Sequence, residues 1–153
     1  AHLAADKGIL IFCSAGNEGS GDWEKITFPS DAAGIFTVGA IDEDKKKSGF
    51  SSIGFTIDGR VKPDAVALGT SSCVIGPNGS VRYANGTSFA TPILAGMGVC
   101  LWQSLPWLNN REMIELLHRS SSQYKHPDTE LGYGIPDFYK AYKKERKNGK
   151  RAK

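Results

Sequence analysis

The stretch of sequence that decides the fold covers residues 85–92 and reads Asn-Gly-Thr-Ser-Phe-Ala-Thr-Pro. Ser88 stands between a glycine turn and a long apolar segment, residues 88–104, whose pattern predicts a central helix. Such a turn projects a serine hydroxyl into a cleft, and the free amides of the first helical turn favour negative charge beside it. A serine before a helix is more often a plain N-cap, so the rest of the chain has to decide between a cap and a nucleophile.

Buried strands alternate with helices on both sides of this stretch. Residues 9–13 form a continuous apolar run after Gly8, which is typical of a strand covered on both faces. Further elements are predicted as strands over residues 35–41 and 64–68, a hairpin around residues 77–79, and helices over residues 110–119 and from residue 136 onward. This alternation predicts an α/β fold with a mostly parallel sheet.

The composition predicts one domain followed by a basic tail. With 153 residues and 40% hydrophobic content, the chain can bury the core of one domain. Residues 143–153 hold seven basic side chains against Glu145 alone, so we assign residues 1–142 to the domain and predict that residues 143–153 are disordered. The tail lacks aromatic side chains for base stacking, which argues against nucleic acid as a partner. No apolar run approaches the about 20 residues that span a bilayer.

The three cysteines argue against a zinc site or a redox motif. Cys13, Cys73 and Cys100 lie far apart and form no CxxC pair. Cys13 and Cys100 fall within apolar segments, so we predict that both are small core residues. No segment has the spacing of an EF-hand calcium loop.

Two motifs of this chain resemble those of the subtilase family. Residues 86–92 are similar to the family's nucleophile signature G-T-S-x-A-[ST]-P, and residues 15–19, Ala-Gly-Asn-Glu-Gly, are similar to its oxyanion segment A-G-N-x-G. Ala90 stands where the α/β-hydrolase elbow G-x-S-x-G needs its second glycine, which argues against that other fold. Two specific motifs in the family's order favour Ser88 as a nucleophile over a plain cap.

The resemblance extends from about residue 3 to residue 142. Further segments that match the family cover residues 28–30, 38–42, 48–54, 62–69 and 131–137. Leu68 replaces the usual proline and Ile93 a common histidine, but that histidine is not a triad residue. The resemblance implies the C-terminal part of a three-layer fold in which a central helix follows the nucleophile. It also implies a cis peptide bond between Phe28 and Pro29.

The resemblance assigns roles to individual residues. Ser88 would attack the scissile carbonyl, and the Asn17 side-chain amide with the Ser88 backbone N–H would hold the oxyanion. The Thr87 hydroxyl would support the same oxyanion. The pocket for the residue before the scissile bond would take its wall and floor from Ser14, Ala15, Gly16 and Thr27.

The catalytic acid and histidine of the family precede the segment that this chain matches. None of His2, His118 and His126 fits the family's histidine motif, and a helix, a helix C-terminus and a loop account for them. We therefore expect the C-terminal half of a serine endopeptidase catalytic domain, inactive alone, that requires the N-terminal half or self-associates. The alternative is a non-catalytic subtilase-like module that binds or scaffolds.

The resemblance also implies the partners and the location of the full-length protein. The substrate would be a polypeptide, and no organic cofactor or obligatory metal is required. Family members often bind structural calcium, so calcium is possible in the full-length protein. Secretion or exposure at a cell envelope is implied by the family, since the sequence shows no signal of its own.

Overall fold

The computed structural model describes residues 1–149 of the chain. Its elements, in chain order, are α1 (His2–Asp6), β1 (Phe12–Ser14), β2 (Phe36–Ile41), β3 (Gly54–Phe55), β4 (Val61–Lys62), β5 (Ala65–Leu68), β6 (Ser72–Ile75), β7 (Val81–Ala84), α2 (Thr87–Ser104), α3 (Asn110–Ser120) and α4 (Phe138–Gly149). A parallel sheet has the strand order β1-β2-β5, and two antiparallel pairs, β3-β4 and β6-β7, lie outside it. The predicted α/β class with a mostly parallel sheet is confirmed.

β2 is the central strand of the parallel sheet. All six of its residues are buried, which explains why this segment has no polar alternation in sequence. On one side Phe36 lies opposite Phe12, and on the other Val38 lies opposite Ala65. These two registers align the carboxyl ends of three strands at one edge of the sheet.

β1 is an edge strand among the described residues, and it is shorter than the predicted strand over residues 9–13. Pairing begins where the Phe36 N–H donates to the Ile11 carbonyl at 2.8 Å, because β2 does not extend far enough to pair with earlier residues. Ile9 is consequently 54% exposed, and β1 is half-buried instead of covered on both faces. Within residues 1–149 no strand pairs with its free edge.

α2 packs along the sheet and closes the main core. Leu94 and Leu101 are buried in one cluster with Val38 and other side chains of β2 and β5. Gly98 allows the close approach, because a Cβ atom there would lie 2.6 Å from the Phe12 ring. The prediction of a central helix after the nucleophile motif therefore agrees with the structure.

The opposite face of α2 is apolar and uncovered in the part of the chain that the structure describes. Ile93, Met97 and Val99 are 45%, 46% and 64% exposed. Cys100 is also exposed, so the prediction that it is a core residue is wrong. The all-round apolar pattern of the helix does not distinguish the covered face from this one.

α3 begins with the predicted asparagine cap. The Asn109 side chain accepts from the Glu112 N–H at 2.9 Å, and the Glu112 carboxylate accepts from the Asn109 N–H at 2.7 Å. The two reciprocal bonds form a capping box that fixes where the helix starts.

α4 continues to Gly149, so residues 143–149, which the sequence predicts as disordered, are helical. The Lys143 ammonium lies 4.4 Å from the centre of the Tyr139 ring, and the Arg146 guanidinium lies 5.7 Å from that of Tyr142. Both are pairs at helical i, i+4 spacing, and such cation–π contacts stabilise the last turns. The remaining tail, residues 150–153, lies outside the described residues.

The second face of the sheet is covered by loops, among them those that carry Ser51 and Pro63, which the sequence pattern does not reveal. A Cβ atom on Gly39 would lie 3.0 Å from the Pro63 ring and 3.2 Å from the Ser51 hydroxyl, so this layer sits directly on β2. The Phe28–Pro29 bond is cis, as expected, and Lys62–Pro63 is cis as well. No helix within residues 1–149 is long and apolar enough to cross a membrane.

Candidate active site

The structure brings Asn17 and Thr87 together at the carboxyl ends of the parallel strands. Asn17 follows β1, and its Oδ1 atom accepts from the Thr87 backbone N–H at 2.9 Å and from the Thr87 hydroxyl at 3.0 Å. Thr87 is fully buried, whereas Asn17 is exposed. Because both bonds use the amide oxygen, the amide NH₂ group of Asn17 is left to donate to a ligand.

Ser88 is the second residue of α2 and lies beside this pair. Its side chain is exposed. Neither the Ser88 backbone N–H nor the Asn17 NH₂ has an acceptor among the described residues. Two free donors next to an exposed hydroxyl at a helix N-terminus suit a carbonyl that becomes negatively charged as it is attacked.

Close backbone packing fixes the glycine turn that carries Ser88. The Gly86 N–H donates to the Gly69 carbonyl at 2.8 Å, which ties the turn to the carboxyl end of β5. A Cβ atom on Gly69 would lie 2.5 Å from that of Ala40 and 2.9 Å from the Gly86 carbonyl. Gly86 itself has a φ of 156°, which glycine adopts without strain.

The residues expected to line the substrate pocket lie around Ser30. The Ser30 hydroxyl donates to the Ser14 carbonyl at 2.5 Å, and the Ser30 N–H donates to the Thr27 carbonyl at 2.9 Å. Ala15 is buried, Gly16 has a φ of 108°, and Thr27 is exposed. Ser30 therefore connects Ser14, in the expected wall of the substrate pocket, to Thr27, its expected floor.

Among the described residues, no histidine and no carboxylate forms a hydrogen bond with Ser88. The His2 ring lies 3.2 Å from Asp6 at the exposed N-terminal helix. His118 is bonded to Asp64 at the amino ends of the strands, the edge opposite Ser88. The described part of the chain thus brings an exposed serine hydroxyl and two free N–H donors together, with no histidine or carboxylate bonded to that serine.

Buried Asp64 and Lys62 and half-buried His118 form a polar cluster that the sequence analysis missed. The Asp64 carboxylate accepts from the Thr37 N–H at 2.6 Å, from Lys62 Nζ, and from His118 Nε2 at 2.9 Å. Lys62 Nζ also donates to the Ile35 carbonyl at 3.0 Å. Asp64 therefore bonds to three partners in the fold, and its hydrogen bond to His118 adds to the helix terminus as an explanation of that histidine.

The cluster sets the charge of Asp64. Burial acts to raise the pKa of this carboxyl, but the hydrogen bond from His118 and the charges of Lys62 and His118 outweigh it, so the pKa lies below its ordinary value. The His118 ring stacks on Tyr133 with centroids 4.0 Å apart, and burial, followed by the charge of Asp64, raises the pKa of Tyr133. A cavity of about 430 Å³ opens beside these residues.

An α/β fold with a serine at a helix N-terminus beside the carboxyl ends of parallel strands is typical of serine hydrolases built on a parallel sheet. The family model described as "Subtilase family" matches residues 2–134. Since this match covers most of the sequence, the chain belongs to the subtilase family.

Individual relatives agree with this assignment. The chain is 34% identical over 148 residues to serine protease AprX of Bacillus subtilis (strain 168), covering 83% of the chain and 33% of that protein. It is 30% identical over 120 residues to subtilisin NAT of Bacillus subtilis subsp. natto, covering 78% of the chain and 30% of that protein. The chain thus spans about a third of the length of these relatives.

Solved structures show the same fold. The self-cleaved protease domain of PatA superposes with a TM-score of 0.77 at 23% identity, covering 95% of this chain and 53% of that one. The prenylagaramide maturation protease PagA superposes with a TM-score of 0.76 at 25% identity, covering 92% of this chain and 52% of that one.

Proposed function

We propose that this chain supplies the nucleophile and the oxyanion donors of a subtilisin-like serine endopeptidase. The observation that carries the proposal is the pair of hydrogen bonds from Thr87 to Asn17 Oδ1, which direct the amide donor of Asn17 toward the space beside Ser88. The serine would otherwise be a plain cap. Paired with an oriented amide donor, it is equipped for acyl transfer.

The proposed reaction forms and breaks an ester on Ser88. The Ser88 hydroxyl oxygen bonds to the scissile carbonyl carbon while its proton passes to a general base. The Asn17 amide and the Ser88 N–H then stabilise the negative oxygen, and Thr87 supports them by holding Asn17 in place. Collapse expels the amine with the transferred proton, and water hydrolyses the remaining acyl ester.

The pocket for the residue before the scissile bond is proposed to lie between the segments that Ser30 connects. Ser14, Ala15 and Gly16 would form one wall, and Thr27 the floor. The hydrogen bonds of Ser30 to the Ser14 and Thr27 carbonyls support this proposal, because they hold the two segments at a fixed separation. The substrate would be a polypeptide.

We propose that the base and its acid come from the N-terminal half of the same catalytic domain. This half would pair with the free edge of β1 and cover the exposed face of α2, formed by Ile93, Met97 and Val99. An unpaired strand edge beside an uncovered apolar face favours association. Alone, the chain would be inactive and would self-associate through this surface.

The cofactor and metal requirement, the location and the domain bounds are proposed from the family. No organic cofactor or obligatory metal is needed for the chemistry above, and structural calcium remains possible in the full-length protein. Secretion or a cell-envelope location is proposed from the family. Residues 1–142 would belong to the catalytic domain, and the basic residues 143–153 would follow it.

A non-catalytic subtilase-like binding module is the second candidate function. The absence of any histidine or carboxylate contact to Ser88 within the described residues favours it. The family's D-[ST]-G and H-G-T-H motifs discriminate the two candidates, since an endopeptidase needs both of them within the same catalytic domain.

Acyl-enzyme trapping tests the proposed function. The chain is combined with the N-terminal half, mixed with an activated ester substrate, quenched in acid and analysed by mass spectrometry. We expect an acyl group on Ser88 and none in Ser88→Ala. Acylation at another residue, or none with the N-terminal half present, would assign the chain to the binding module.

A further inference from the structure

The loop of residues 48–52 packs against the segment that carries Asn17. The sequence motifs do not indicate that this loop supports the candidate site. Residues 48–52 pack against residues 16–19 so closely that a Cβ atom on Gly19 would lie 2.2 Å from the Ser51 carbonyl oxygen. The Gly19 N–H also donates to the Phe50 carbonyl at 2.8 Å. Two backbone segments in direct contact leave little freedom to the loop that carries Asn17.

Ser52 makes the contacts that matter most for Asn17. It is fully buried. Its backbone N–H donates to the Gly16 carbonyl at 3.0 Å, and its hydroxyl accepts from the Glu18 N–H at 3.0 Å. The first bond holds the peptide group that precedes Asn17, and the second holds the peptide group that follows it.

Holding both peptide groups fixes the two backbone torsions of Asn17. A side chain points where its Cα–Cβ bond directs it, so these torsions decide whether the Asn17 amide meets Thr87. Gly16 is required by the same contact, because a Cβ atom there would lie 2.9 Å from the Ser52 hydroxyl. Asn17 is thus fixed at its backbone by Ser52 and at its side chain by Thr87.

The loop that carries Ser52 is itself anchored to the sheet. The Ala40 N–H donates to the Ser51 hydroxyl at 3.0 Å, and the Ser48 N–H donates to the Ala40 carbonyl at 2.9 Å. Ala40 lies in the central strand β2. Residues 48–52 therefore connect the Asn17 segment to the central, fully buried strand β2.

We propose that Ser52 is a positioning residue for the oxyanion donor Asn17 and acts on turnover only through it. This inference rests on the proposed function, because it assumes that the Asn17 amide stabilises the transition state. A donor that shifts by a fraction of an ångström loses much of its effect on a developing charge while ground-state binding changes little.

The test uses Ser52→Ala, which removes the hydroxyl acceptor and keeps the backbone donor. Hydrogen exchange is measured on this chain, and turnover on the chain combined with the N-terminal half. We expect exchange of the Glu18 amide to accelerate about tenfold. We expect kcat to fall about tenfold with KM nearly constant, and no further fall when Ser52→Ala is added to Asn17→Ala.

Ser121→Ala is the matched control. It removes a buried hydroxyl that donates to the Leu117 carbonyl at the end of α3 and contacts neither the Asn17 loop nor residues 48–52. We expect it to lower the unfolding midpoint without the selective fall in kcat, so that a general loss of stability is separated from positioning.

Three outcomes would overturn the proposal. Unchanged exchange at Glu18 shows that Ser52 does not hold the loop. A fall in kcat that adds to that of Asn17→Ala shows that Ser52 does not act through Asn17. The third outcome is that Asn17→Ala leaves kcat unchanged while Ser52→Ala still accelerates exchange of the Glu18 amide. In that case the proposed oxyanion role of Asn17 itself fails, and the contact of Ser52 is structural only.

Discussion

Thr87 donates both its backbone N–H and its hydroxyl to one oxygen atom of Asn17, at 2.9 and 3.0 Å. The two residues lie 70 positions apart in sequence and meet at the carboxyl ends of parallel strands. Because Thr87 immediately precedes Ser88, this contact constrains the distance between Ser88 and the Asn17 amide, the nucleophile and oxyanion donor of the proposed function.

Asn17→Ala should lower kcat by roughly 10²–10³ with little change in KM, since the amide faces a charge that exists only in the transition state. Steady-state peptide hydrolysis by the chain combined with the N-terminal half provides the measurement. A raised KM with an unchanged kcat would mean that Asn17 binds substrate and does not hold an oxyanion.

Thr87→Val keeps the shape of the side chain and removes the hydroxyl donor, whereas Thr87→Ser retains that donor. We expect kcat to fall about tenfold in the valine variant, the effect of one lost hydrogen bond, and to stay close to the parent value in the serine variant. Equal losses in both variants would show that packing of the methyl group is what matters.

Asp64 should make the fold sensitive to acid. Its pKa in the folded state lies below the ordinary 3.8, so its contribution to stability is fully present above about pH 3.8 and is lost as the pH falls through the folded value. Asp64→Asn should cost about 3–5 kcal/mol at neutral pH, because it leaves Lys62 buried without its counter-ion, and should flatten the acid limb. Chemical unfolding between pH 2 and pH 7 measures both effects.

Asp58 is the control for this experiment. Its pKa is lowered to about 2, chiefly by hydrogen bonds from Arg60 and Thr56, but the group is fully exposed. Solvent screening makes such a pair weak. Asp58→Asn should therefore leave the unfolding midpoint nearly unchanged, and a loss as large as that of Asp64→Asn would contradict the importance of the buried cluster.

The chain alone should self-associate through the free edge of β1 and the exposed face of α2. Val99→Lys places a charge on this surface, and Ile57→Lys places one on the β3-β4 turn, where Ile57 is fully exposed. Light scattering should show a smaller mass for Val99→Lys and no change for Ile57→Lys. A parent chain that is monomeric at all concentrations would contradict the prediction.

The sequence predicts best what depends on neighbouring residues. The helix after Ser88, the cap of α3 and the central strand β2 follow from local patterns, and two short motifs identify Asn17 and Ser88. The pair of Asp64 and His118 has no such signal, because its members lie 54 residues apart and meet only when α3 packs on the sheet.

The same contrast between local sequence patterns and tertiary contacts explains why Cys100 and residues 143–149 differ from their predictions. Cys100 was expected in the core because α2 is apolar all round, and only tertiary structure shows which face is covered. Residues 143–149 continue α4, in which Tyr139 and Tyr142 contact cations one turn onward, a pairing that a count of charges does not detect.

The most direct test of the central claim is labelling of Ser88 by a serine-reactive phosphonate probe. We expect no labelling of this chain alone, labelling when the N-terminal half is added, slower labelling in Asn17→Ala, and none in Ser88→Ala. Rapid labelling of Ser88 in a stable monomer of this chain would contradict the account, since it would require a general base within the chain itself.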